Sequence, residues 1–373
     1  MKALLVDQNL NVCWKYTFSL ANALKKQNLD LIVVGDTICE QHNCSIDILR
    51  LFNTDVKGIG RYKKIINYYS SYKKILKYIK LNKINVVHFQ WFSFSPLDYY
   101  FYKKIKKYCR IVLTVHDIKA FDSHFYDKIF YKKTYNLPDA IILQTPHNLE
   151  LFKKTYPMIS EDKIYFTYHG HFLEYANILD KKLACEKIEV DSKTFNFLFF
   201  GQLKKIKGVD VLLKAFGEFV KYNHNCKLII AGSLWHNSFD DYEKIIKENK
   251  LDEFVSCHIK YIPDELVDYY FSASDVVCLP YTELFQSGVV QLAYAYKKPV
   301  ISSNLDAFKE VINDNQTGFI FENKNDKDLC NKMLLAYKEK HRLNEMGEKG
   351  YKYIEDKFSW DKIAKRTYEI YKG

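Results

Sequence analysis

At 373 residues the chain exceeds the usual size of one domain, so two domains of roughly 150 to 200 residues, each with its own core, are the first expectation. A hydrophobic content of 48% with 27% charged residues excludes a disordered chain, and no apolar run approaches the ~20 residues of a membrane span. Lys plus Arg outnumber Asp plus Glu by 56 to 45, a formal charge of +11, which favours an anionic partner: nucleic acid, an acidic membrane surface or a phosphorylated small molecule.

The opening MKALLVDQN reaches Asp7 before a signal-peptide core could form. The 9 Cys are scattered, with no C-x-x-C pair and no His spacing suited to zinc, and read as small core residues in a reducing compartment. A cytoplasmic protein is expected, any membrane contact being peripheral. Apolar, β-branched runs then alternate with segments of helical period: KALLVD (2–7), LDLIVVGD (29–36), INVVHFQW (84–91), RIVLTVHD (110–117), 140–145 and KIYFTYH (163–169). Strands in a parallel sheet, covered by helices on both faces, satisfy that rhythm. Within it, 61–80 (RYKKIINYYSSYKKILKYIK) places Ile65, Tyr69, Tyr72, Leu76 and Ile79 on one helical face, either a half-buried helix with a solvated Lys face or a membrane-surface face.

Residues 172–194 break the rhythm with charge and no clear strand. FNFLFFG (195–201) restarts it, followed by CKLIIAG (226–232), FVSCHIK (254–260), VVCLPY (276–281), PVISS (299–303) and GFIFE (318–322). The expected organisation is a doubly wound domain over 1–172, a linker over 173–194, a second such domain over 195–356, and a C-terminal amphipathic helix over 357–373 opened by Ser359 as N-cap. In one common arrangement two such domains face each other across a cleft. Ligands of such sheets bind outside the carboxyl ends of the strands, so the chemistry belongs in those loops.

Three loops carry candidates. After FNFLFF come Gly201, Gln202, Lys204, Lys205, Lys207 and Gly208 before a helical segment. Free backbone amides at a helix start attract anions and Lys adds a point charge, so this loop suits a diphosphate, although an exposed basic turn has the same composition. In LPYTELFQSGVVQLAYAY, Glu283 and Phe285 sit in a turn, Ser287 and Gly288 open a helix, and Gln291 lies one turn on. Glu283 beside an anion site suits sugar hydroxyls, or is a surface carboxylate. In the first half His116 and Asp117 end a strand, and His169 stands in a similar place after KIYFTY. Gly58 and Gly60 lack the third glycine of a dinucleotide fingerprint, and there is no Walker loop, nucleophile elbow or His-Glu-x-x-His.

The run GQLKKIKGVDVLLKAF, KLIIAG, YIPDELVDYYFSASDVVCLPYTELFQSGVVQLAYAYKKPVIS and GFIF resembles the nucleotide-sugar domain of the retaining glycosyltransferases of family 4, whose fold is GT-B, two Rossmann-like domains facing a cleft with the C-terminal helix crossing back onto the first. The resemblance is dense over 195–325 and thinner over 1–170, where TVHD and KIYFTYHG carry it. It implies that Lys207 contacts the donor diphosphate, that Glu283 holds donor-sugar hydroxyls with help from turn amides at Phe285, Gln286 and Ser287, and that His116 stands near the transferring sugar. Gly201, Gln202, Ile262, Gly288 and Gln291 complete the implied donor set; Trp14, His116, Asp117 and His169 form the acceptor side. Two positions depart from the family pattern, which has Arg at Gln202 and a second Glu at Gln291; the glycine pair often found after the first strand is replaced by DQNLNVCWKYT.

The resemblance implies a retaining, metal-independent hexosyltransferase with no cofactor beyond its nucleotide diphosphate sugar. Its acceptor would be a glycan or lipid-linked glycan in surface polysaccharide biosynthesis, with possible peripheral contact to an anionic membrane and no nucleic acid partner. The alternative is a weak or inactive sugar-nucleotide-binding partner subunit of another transferase, which Gln202 and Gln291 would suit.

Overall fold

The computed structural model describes residues 1–36, 46–52, 60–91, 94–116, 118, 127–235, 238–283 and 288–373. The chain forms two compact units: Met1–Gly170 together with Phe358–Gly373, and His171–Lys357.

In the first unit the strands are β1 (Lys2–Val6), β2 (Asp30–Asp36), β3 (Ile48–Phe52), β4 (Val86–Phe89), β5 (Arg110–Val115), β6 (Ala140–Leu143) and β7 (Ile164–Phe166). They form one sheet in the order β3-β2-β1-β4-β5-β6-β7, with every pair parallel. Helices cover both faces, so the central strands read as unbroken apolar runs. Two hydrophobic clusters result, one built on Leu5, Phe18 and Val112, the other on Leu4, Tyr72 and Leu113. The edge strand β3 was not expected from the sequence. Its ILRLF is only partly buried, so it lacks the continuous apolar signature of its neighbours.

In the second unit β8 (Phe195–Phe200), β9 (Cys226–Ala231), β10 (Val255–His258), β11 (Val276–Leu279), β12 (Val300–Ser303) and β13 (Gly318–Phe321) form a sheet in the order β10-β9-β8-β11-β12-β13, again parallel throughout. Both sheets reverse direction of growth beside their first strand, at β1/β4 and at β8/β11. Such switch points leave a crevice at the carboxyl ends of the two strands.

Two expectations are corrected. The segment 173–194, read as a linker, is folded within the second unit. Asp180 caps the helix Lys181–Lys187 by accepting from Lys182 N and Leu183 N, and Lys181 Nζ meets both carboxylate oxygens of Asp275 at 2.8 and 2.7 Å. Charge hid a capped helix. The helix Arg61–Asn82 exists, but its buried face is Tyr68, Tyr72, Ile75 and Ile79, while Ile65 and Tyr69 are exposed. The rotation follows from Asp98, whose buried Oδ1 accepts from both Tyr68 and Tyr72 hydroxyls at 2.6 Å. Hydrophobic periodicity does not anticipate a buried carboxylate that needs those two donors.

The C-terminal helix Trp360–Lys372 packs on the helix Leu10–Lys25 of the first unit. Trp360, Ile363, Ala364, Ile370 and Tyr371 join the core cluster there, and Arg110 Nε donates to Ile370 O at 3.2 Å. Ser359 stands at the N-cap position without a side-chain cap hydrogen bond. The last residues thus complete the first unit's core. An Ile363→Ala substitution is expected to cost about 2–4 kcal/mol, and hydrogen exchange should show lost protection in Leu10–Lys25 as well as in the C-terminal helix.

Candidate functional site

The carboxyl ends of β8 and β11 carry most of the donor-side candidates. Gly201 ends β8 at φ +126, and Gly232 ends β9 at φ +151, where a Cβ would lie 1.9 Å from the Gly201 carbonyl oxygen. Leu203 N then bonds Ser233 O at 2.9 Å and carries the loop outward. A 3-10 turn over Lys205–Lys207 ends at Gly208, φ +64, and the helix Val209–Val220 begins. A Cβ on Gly208 would fall 1.9 Å from Pro280 O, so only glycine permits this approach in this conformation. Thr282 N donates to Ile206 O at 2.8 Å, and Thr282 O accepts from the Asn323 amide at 3.0 Å. The two loops are therefore fastened together.

That fastening sets the charges. Lys207 Nζ stands 3.5 Å from the centroid of the Tyr281 ring, a cation-π contact over a buried face. Lys204 lies 4.2 Å over Trp235. Glu283, one residue beyond Thr282, is exposed, as is Gln202. Gly288 opens the helix Gly288–Ala295, and the side chain of Val289 reaches to 4.0 Å from where a Gly201 Cβ would stand. Gln291 is 4% exposed, and its Oε1 has no hydrogen-bond partner among the described residues. A buried orphan acceptor costs about 1–3 kcal/mol, which a ligand hydroxyl would relieve.

The structure thus groups Gly201, Gln202, Lys207, Glu283, Gly288 and Gln291 on the two strands flanking the switch point and the helices that follow them. Ile262 is buried in the turn after β10, two strands from β8. Phe285, Gln286, Ser287 and Asp117 lie outside the described residues. Among the described residues no three or more His, Cys, Asp or Glu gather as a metal would require, and no helix is long and apolar enough to cross a membrane.

The first unit has its own cluster at the ends of β1, β4, β5 and β6. His116 stacks on Trp91 with ring centroids 4.3 Å apart, and Tyr16 stands between His116 at 5.2 Å and His169 at 4.8 Å. Tyr16, from the helix Leu10–Lys25, also meets Trp360 at 5.4 Å and accepts from Gln144 Nε2 at 2.7 Å. Trp14, two residues earlier, packs against Phe18 at 6.1 Å. Behind His116 runs a buried relay. Its Nε2 is 3.2 Å from Gln90 Oε1, Gln90 Nε2 is 3.3 Å from His88 Nε2, and His88 Nδ1 is 2.8 Å from the Tyr371 hydroxyl. With Gln90 oriented so, His116 carries its proton on Nε2 and leaves Nδ1 as an acceptor.

Sequence reasoning found His116 and His169 but not Tyr16, His88, Gln90, Gln144 or Asp7. The available signal was polar residues inside or directly after apolar strands, as in VVHFQW and AIILQT, where each must find a buried partner. Burial, reinforced by the other histidines, lowers His116 to about 3; burial lowers His88 to about 3 and His169 to about 4, so all three are neutral. Burial raises Asp7 to about 6 against the hydrogen bonds from Thr17 Oγ1 and Asn9 N.

Two family models match the chain, Glycosyltransferase Family 4 over 14–175 and Glycosyl transferases group 1 over 180–353. The chain belongs to the family 4 type of glycosyltransferase. An uncharacterized 41.2 kDa protein in the cps region of Klebsiella pneumoniae is 27% identical over 80% of this chain and 82% of its own length. The capsular polysaccharide biosynthesis glycosyltransferase CapM of Staphylococcus aureus is 26% identical over 44% of this chain. The chain spans 43% of CapM's length, and likewise under half of several other curated relatives. HepE of Anabaena, solved with UDP-glucose, superposes with a TM-score of 0.76 over 99% of this chain and 98% of its own at 14% identity, which makes the fold GT-B.

The neutral histidines of this glycosyltransferase give a pH signature. An unfolded His titrates near 6.5, so between there and pH 5 the unfolded chain takes up protons that the folded one refuses. Each of the three is expected to cost about 2 kcal/mol of stability by pH 5. Asp7 acts oppositely, because its raised folded value stabilises the native state as pH falls through 6, by about 1 kcal/mol at pH 5. Urea unfolding followed by tryptophan fluorescence should therefore show a lower midpoint at pH 5 than at pH 7, with a smaller difference in His116→Gln.

Proposed function

We propose that this glycosyltransferase moves a hexose from a nucleotide diphosphate sugar to a hydroxyl of a glycan or lipid-linked glycan, with retention at the anomeric carbon, in surface polysaccharide biosynthesis. The observation that carries the reading is the fastening of Lys207 and Glu283 to adjoining strand ends at the β8/β11 switch point. Lys207 and the start of Val209–Val220 would bind the diphosphate, Glu283 would accept hydrogen bonds from sugar hydroxyls, and the orphan Gln291 oxygen would take a ribose hydroxyl. UDP-glucose bound to HepE supports the donor class, and the cps-region and CapM relatives support the pathway.

In this mechanism the bond from the anomeric carbon to the diphosphate oxygen breaks, and the acceptor oxygen bonds that carbon on the same face. The acceptor proton passes to the departing diphosphate. Catalysis is then positioning plus stabilisation of leaving-group charge by Lys207 and helix dipoles, without a metal. On the acceptor side, His116 Nδ1 and the ring of Tyr16 would meet the sugar or its acceptor.

The test is a panel of UDP, GDP, ADP and CMP sugars, read by thermal shift and by donor hydrolysis. One donor should stabilise the protein, Glu283→Ala should lower its hydrolysis, and Lys207→Ala should lower turnover about 10²–10³-fold. Full turnover in Lys207→Ala would sink the assignment. Tight donor binding without turnover would instead favour the partner-subunit reading that Gln202 and Gln291 motivate.

The lipid-linked acceptor is supported by the helix Arg61–Asn82, which exposes Tyr62, Ile65, Ile66 and Tyr69 beside Lys63 and Lys64. Flotation with phosphatidylglycerol vesicles should recover the protein, less of it after Ile66→Glu; a wholly unbound protein would remove this part of the proposal.

A further inference from the structure

The second unit carries a cavity of about 290 Å³ at the edge of its sheet away from Lys207 and Glu283. Its lining comes from residues that precede β8, β9, β11 and β12, the amino ends of these parallel strands, and from the helical region around Tyr337 and Leu343. Strands of this length separate the two edges by roughly 15–20 Å. Five lysines line it: Lys181, Lys193, Lys297, Lys298 and Lys340, with Asp275 as the lining carboxylate.

Two of these charges are already matched. Lys181 meets both oxygens of Asp275 and the Thr194 carbonyl, and Asp275 also accepts from Asn196 N at 2.7 Å, so this pair is built into the fold. Lys297 pairs with Glu348 at 2.7 Å. Lys193, Lys298 and Lys340 have no carboxylate partner within ion-pair distance among the described residues. Lys298 is the telling one. It is partly buried, and its ammonium, with three hydrogens to place, has one long contact to Ser272 O at 3.5 Å. Burial holds it down to about 8, against the pull of nearby Asp275 and with the push of Lys181. A cation desolvated and under-coordinated beside a polar cavity is stabilised by an anion that enters it.

We infer that this cavity binds a small phosphate-class oxyanion, with Lys298 as its principal ligand and Lys193 and Lys340 completing the positive wall. The oxyanion is either free phosphate or the phosphate end of a small phosphomonoester. The site is separate from the donor-side cluster, and its test does not depend on turnover or on the identity of the donor.

The experiment is titration calorimetry of the full chain with inorganic phosphate and with methyl phosphate at fixed ionic strength. Saturable binding is expected to survive Lys207→Ala, to weaken roughly tenfold or more in Lys298→Met, and to persist in Lys298→Arg. Should Lys298→Met fail to fold, the exposed pair Lys193→Ser with Lys340→Ser should weaken phosphate in the same direction. Equal affinity for methyl phosphate would identify a phosphomonoester end as the ligand, and selectivity for inorganic phosphate the free ion. Binding that vanishes in Lys207→Ala but persists in Lys298→Met would overturn the inference, as would no saturable binding at millimolar phosphate.

Discussion

The approach of Gly208 to the Pro280 carbonyl is the constraint on which the donor side depends. With a Cβ position only 1.9 Å from that oxygen, the loop after β8 sits directly on the end of β11. Lys207 is then delivered over the Tyr281 ring, and Ile206 can accept from Thr282, the residue before Glu283. A side chain at 208 would force the loop away and separate a cation from a carboxylate that the chain places about 75 residues apart. The second glycine pairing, Gly201 with Gly232, has the same logic one strand over. Closely approaching strand ends leave room there for backbone and charge, not for side-chain bulk.

The first unit solves a different problem. Its cluster is built from neutral groups whose hydrogen-bond directions, rather than charges, are fixed. His116 is oriented by Gln90, Gln90 by His88, and His88 by Tyr371 from the other end of the chain. Burial keeps each imidazole uncharged, so the relay holds a tautomer and does not titrate near neutrality. The C-terminal helix therefore does more than cover apolar surface: its Tyr371 closes the relay while Trp360 packs on Tyr16. Core packing and site orientation share the same residues.

How much of this was legible in the sequence follows from the same physics. Twelve of the strands are expected from continuous apolar runs because both sheets are covered on both faces; β3, half-exposed at an edge, is not. The helix Arg61–Asn82 was found but turned, since Tyr68 and Tyr72 are drawn inward by Asp98, a long-range polar demand that periodicity cannot register. Lys207, Glu283 and Gln291 were legible because glycine-bearing strand-to-helix loops have a local signature. Their meeting was not, because β8 and β11 are neighbours through the sheet order alone. Tyr16, His88 and Gln144 escaped because a polar residue in an apolar strand declares only that it has a partner, and the partner is set by tertiary structure.

The excess of 11 positive charges likewise acquires meaning only through position. Several of the basic residues are in exposed pairs within one helix, as with Lys221 and Glu218 or Lys247 and Glu243, and such pairs contribute little to stability. Lys207 differs because its ammonium rests on a buried ring at a strand end. Lys298 differs because its ammonium is partly withdrawn from water with a single long contact. At Lys298 the protein has accepted the partial desolvation of a cation with no carboxylate at ion-pair distance among the described residues, an arrangement that an incoming anion completes. Net charge is therefore an average over residues that matter little and a few, such as Lys207 on its ring and Lys298 at its cavity, whose surroundings set them apart.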